Sequence, residues 1–120
     1  MQTIKRGLFK VSDGEEITIK IRSTGTKTLF GVNCAVFGED LIIPEGQPLK
    51  VTMDKSQATG ESNFQNAKSA TLTLLFSFTS NQGGRYDWTM TGSEGGDPFT
   101  AFTKQIGKLP KSVTYTFHIV

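Results

Sequence analysis

The sequence predicts an all-β protein, a two-sheet antiparallel β-sandwich of Greek-key or jelly-roll type with seven or eight strands. Three observations predict it. Apolar residues alternate with polar ones through much of the chain. Clusters of Gly, Pro, Asn, Asp and Ser separate the alternating runs. No window sustains a 3.6-residue period. The alternative on the same pattern is a closed barrel. With 120 residues and 13.1 kDa, no internal repeat and no linker, the chain reads as one domain over residues 1–120.

Taken in order, a short strand fits Thr3–Val11. Ile17, Ile19 and Ile21 then share one face, with Thr18, Lys20 and Arg22 on the other. Phe30, Val32, Cys34 and Val36 alternate with Gly31, Asn33 and Ala35, and a short strand fits Leu41–Ile43. Leu49, Val51 and Met53 repeat the pattern, as do Leu72, Leu74, Phe76 and Phe78. Tyr86, Trp88 and Met90 follow, and Val113, Tyr115, Phe117 and Ile119 close the chain. Turn chemistry stands at Ser12–Glu15, Ser23–Thr26, Phe37–Asp40, Pro44–Pro48 and Asn81–Gly84. The one helical expectation is a turn near Phe99–Ile106, with Asp97 as cap and Pro98 in the first turn. Asp54–Ser69 and Gly92–Lys111 read as long loops, a length that is uncommon unless the segment has a function.

The rare residues exclude several chemistries. Cys34 is the only cysteine and His118 the only histidine, so there is no intramolecular disulfide and no His/Cys zinc site. Cys34 falls on the apolar side of its strand and reads as a buried thiol. His118 falls on the polar side and reads as solvent-facing. No G-x-S-x-G elbow, Walker loop, H-E-x-x-H or G-x-G-x-x-G motif occurs, and the expectation is a protein that is not an enzyme. Thirteen Lys+Arg against eleven Asp+Glu give a net charge of +2, too sparse for strong nucleic-acid binding. The apolar runs are too short for a transmembrane segment. No apolar h-region follows the charged N-terminus, so no signal peptide is expected. Localisation stays open between the cytoplasm, leaderless export and export after a leader has been lost.

Alternating strand directions send the loops 12–16, 38–40, 54–70 and 92–111 to one end of the sandwich, where the local pairs of acids stand out. Asp13 and Glu15, facing Glu39 and Asp40, offer oxygens for calcium, the one cofactor the chain suggests; solvated loop charge is the ordinary reading. The strands carry mainly Lys and Arg. Their outer faces read either as protection against edge pairing or as a shallow anion site. Trp88 reads as core. The aromatics expected in loops are Phe64, Phe99 and Phe102, with Asn63 and Asp97 as polar partners. These five are the candidate ligand residues of a lectin-like rim.

Gly83–Gly96, Tyr115–Ile119, and Leu8–Val11 followed by Asp13, Gly14, Ile17 and Ile19 resemble the strand motifs of bacterial pre-peptidase C-terminal domains. The resemblance spans about half the chain. It departs at Gly31–Val36, where that family shows an acidic strand, and in an insertion of about twenty residues before the last strand. It implies a non-catalytic β-sandwich of the carbohydrate-binding-module type. The functional expectation is therefore a binding module for carbohydrate or another extracellular polymer through long end loops. The alternative is a structural, homo-oligomer-forming sandwich.

Overall fold

The computed structural model describes residues 2–4, 8–23, 29–44, 46–61, 63–78, 84–94, 97–107 and 111–120; side chains at 2–4, 8, 23, 29–30, 78, 84–86, 94, 102–107 and 111 are outside that description. The turns expected at 24–26 and 81–83 lie outside the described residues. Among the described residues there are ten strands and no helix: β1 Gln2–Ile4, β2 Leu8–Val11, β3 Glu16–Ser23, β4 Leu29–Val36, β5 Glu39–Ile42, β6 Leu49–Thr52, β7 Lys68–Phe78, β8 Gly84–Glu94, β9 Asp97–Gly107 and β10 Lys111–Ile119. No helix among them is long and apolar enough to cross a membrane.

The strands form two five-stranded sheets, β1-β9-β8-β3-β6 and β2-β10-β7-β4-β5, and the fold is a β-sandwich. Six of the eight strand pairings are antiparallel. The exceptions are β1 on β9 and β2 on β10, both parallel. Both come from the segment expected to be one strand, Thr3–Val11, which instead gives one strand to each sheet.

The alternation in sequence becomes the core. Ile17, Ile19, Ile21, Trp88, Met90, Phe99 and Ala101 point inward from the first sheet. Phe9, Val11, Val32, Cys34, Leu72, Leu74, Phe76, Tyr115, Phe117 and Ile119 meet them from the second. Burying each large side chain contributes about 1.5–3 kcal/mol. Aromatic contacts join the layers: Phe9 lies 4.5 Å from Phe99, and Trp88 meets Tyr115 edge-on at 5.2 Å. Burial pushes the Cys34 thiol up to about 12.

The described residues of Gly92–Lys111 are strand rather than loop, and Phe99–Ile106 is not helical. β8 and β9 are paired continuously from Glu94–Asp97 to Gly84–Gly107. Cross-strand pairing outweighs the helix-like spacing of Phe99, Phe102 and Ile106. Phe99 is therefore core, only 2% exposed, rather than part of a loop rim. Gly92 shares this hairpin. A Cβ there would stand 2.5 Å from Ile17 Cδ1 and 2.9 Å from Phe99 Cζ, so only glycine leaves room for both side chains.

Candidate functional site

The segment between β6 and β7 does keep the character of a long loop, and its residues tie it down. Asp54 accepts hydrogen bonds from Ser56 N at 2.9 Å, Ser56 Oγ at 2.6 Å and Gln57 Nε2 at 2.8 Å. This is a side-chain-closed turn, in which an Asp carboxylate takes the donors that a backbone turn would leave free. The Ser56 hydroxyl first, then the Gln57 amide, hold the Asp54 carboxyl below its ordinary value. Lys55 N donates to Asp13 Oδ1 at 2.9 Å, fastening the loop to the turn between β2 and β3. Farther on, Ser69 N donates to Gly60 O at 3.2 Å, and the backbones of Glu61 and Lys68 pair as an isolated antiparallel β-bridge. Ala67 N donates to Phe64 O, with Asn66 in the left-handed region at φ 60°. Asn is one of the few side chains that tolerates that backbone.

The closed loop lays Phe64 on the outer face of the second sheet. Its ring meets His118 edge-on, with centroids 5.1 Å apart and planes at 80°. Lys10 Nζ sits 4.9 Å from the ring centroid. His118 occupies the polar side of β10, as its alternation requires, yet it is only 8% exposed because Phe64 packs against it. The expectation of a solvent-facing histidine is corrected by this packing. Ser69 Oγ lies 3.4 Å from His118 Nδ1.

Beside this anchor the loop borders an open groove of about 740 Å³, lined by Lys55, Glu61, Phe64, Asn66, Ala67 and Lys68. It offers ammonium, carboxylate and amide groups around an aromatic ring that remains 37% exposed. Hydrogen bonding and stacking are what this set can do chemically.

The structure distributes the expected ligand residues unevenly. Asn63 and Phe64 are exposed neighbours in the loop. Asp97 is exposed where β9 begins, Phe99 is core, and the side chain of Phe102 lies outside the description. Lys55, Glu61 and Lys68 were not legible as a group, because the pairing that closes the loop gathers them. The metal candidates are also dispersed. Asp13 takes the Lys55 amide, while Glu15 accepts from Ser12 N at 3.3 Å and from Ser93 Oγ. Glu39 and Asp40 lie on β5, at the opposite edge of the second sheet from β2, which leads into Asp13. Four strand spacings separate those edges, about 19 Å. Among the described residues no three His, Cys, Asp or Glu side chains gather as a metal site, so the sequence-based calcium grouping is not assembled.

Comparison with models of known protein families, with curated proteins and with solved structures finds no match.

Proposed function

We propose that the protein is a non-catalytic binding module that takes carbohydrate, or a related hydroxyl-rich extracellular polymer, in the groove beside the loop between β6 and β7. The observation that carries this reading is the mounting of Phe64. An exposed phenylalanine that is already fixed by His118 and Lys10 loses little freedom when a sugar ring packs on it. Asn66, Glu61, Lys55 and Lys68 surround it with donors and acceptors suited to hydroxyl groups. The likeness of several strands to pre-peptidase C-terminal domains points the same way.

A glycan-array screen with calcium and again with EDTA tests the reading. Binding in both conditions, reduced at least tenfold by Phe64→Ala, is the expected result. Binding that ignores Phe64→Ala removes the groove from the account. Absence of glycan binding in both conditions contradicts the reading.

One observation favours a second reading, a structural self-associating protein. Ile42, Asn33, Leu75 and Ser112 lie in one register row across the outer face of the second sheet. Ile42 is 71% exposed and Leu75 39%. An uncharged row of this kind meets a second copy without like-charge repulsion. Mass that rises with concentration in light scattering supports this reading; a monomer throughout the range contradicts it.

A further inference from the structure

We infer that the outer face of the first sheet holds a second site, separate from the Phe64 groove, for an acidic saccharide such as a uronate or a sulfated sugar.

The register brings its parts together. Lys20 on β3 pairs with Thr89 on β8, and Arg22 pairs with Asp87. These four residues and Trp88 line a depression of about 200 Å³, room for a small ring rather than a folded chain. Lys20 and Arg22 are exposed and stand two residues apart on one strand face, about 7 Å. Two cations at that spacing gain from an anion placed between them.

Asp87 gives the site its second requirement. Its Oδ1 is shut away from water and has no hydrogen-bond partner among the described residues. A carboxylate oxygen in that state calls for a donor. The ligand that satisfies the whole depression therefore carries an anionic group for Lys20 and Arg22 and a hydroxyl for the Asp87 carboxylate, whose Oδ1 has to turn toward the ligand to accept it, with the Thr89 hydroxyl beside them. An acidic saccharide has both. A phosphodiester group has the charge but supplies no hydroxyl donor of its own.

The adjoining register row extends the surface. Lys50, Thr18, Thr91 and Thr100 follow one another across β6, β3, β8 and β9. A chain of acidic sugars lying across the strands would meet hydroxyls beyond the first ring, and Lys50, which already stands 4.0 Å from Glu16.

The experiment is calorimetric titration of the whole chain with galacturonate oligomers and heparin-derived oligosaccharides, at low and at physiological salt, with a neutral glucan and single-stranded DNA as comparators. The inference expects tighter binding of an acidic saccharide than of either comparator. The double variant Lys20→Ala/Arg22→Ala should lose at least tenfold. Asp87→Ala is decisive. Simple attraction of an anion to cations would strengthen when a negative charge is removed, whereas loss of the hydroxyl acceptor weakens binding several-fold. Asp87→Asn, which keeps a carbonyl acceptor, should restore part of the loss. Tighter binding by Asp87→Ala, equal binding of DNA, or no acidic-saccharide binding overturns the inference. Matching melting curves confirm that each variant is folded. The groove reading fails separately, through Phe64→Ala with neutral glycans.

Discussion

The two outer faces of the sandwich rest on one core and carry opposite designs. On the first sheet Lys20, Arg22 and Lys50 stand among Thr18, Thr89 and Thr91. On the second, the central rows are Asn33, Ala35, Thr73, Leu75, Ser112 and Thr114, none of them charged. Among the described residues, charge stands there on the edge strands, at Lys10 and Asp40, and at Lys68 where β7 begins. The first face keeps its cations in water, where they resist association with another sheet. The second has part of its surface covered by its own loop, through Phe64 on His118. The same alternation thus yields one face suited to a charged ligand and one that accepts apolar cover.

The largest expected effect strikes the core common to both faces. Gly92→Ala forces a Cβ against Ile17 and Phe99 and should cost about 1–3 kcal/mol, read as a lower denaturant midpoint with an unchanged slope. An unaltered midpoint would mean that the β8–β9 hairpin packs differently.

Removing the cover separates the faces. Phe64→Ala should cost about 1 kcal/mol, because it forfeits the edge contact with His118 and the Lys10 contact while deleting only a partly exposed ring. His118 should then exchange faster with solvent, seen as a changed imidazole chemical shift, while amides of β3 and β8 stay as they were. A shift spread evenly through both sheets would erase the distinction between the faces.

Charging the neutral face sharpens the contrast further. Ile42→Lys should move stability by no more than about 0.5 kcal/mol, since the side chain is already in water. Any concentration-dependent mass should vanish with it, whereas Lys50→Ala on the other face should leave that mass unchanged.

The smallest effect concerns the root of the loop. Asp54 has a lowered pKa in the folded protein, so its contribution is present above the ordinary carboxylate range and is lost as pH falls through the folded value. Melting temperature should therefore decline below about pH 4. Asp54→Ala should flatten the part of that decline that belongs to this turn, a small part because the group is exposed.

How far the sequence discloses this arrangement depends on which contacts carry it. β3 is legible because Ile17, Ile19 and Ile21 keep a strict period of two, and β10 is legible for the same reason. β9 is not. Ala101 holds its inward position with a small side chain, so Phe99, Phe102 and Ile106 stand out at helical spacing. Only the long register with β8 reveals the strand. Gly92 reads as loop because glycine usually marks one, yet here its missing side chain is a packing requirement. In the site, Asn63 and Phe64 are legible as loop residues. The burial of His118 is not, because it depends on a chain segment that crosses the face from elsewhere in the sequence.

The most direct test of the binding account is an amide chemical-shift titration with the best ligand from the glycan screen. The account predicts perturbations concentrated at Lys55, Glu61, Phe64, Asn66 and Lys68, reaching His118 through its contact with Phe64. Perturbations confined to the row from Ile42 to Ser112, or none at saturating glycan, would contradict it.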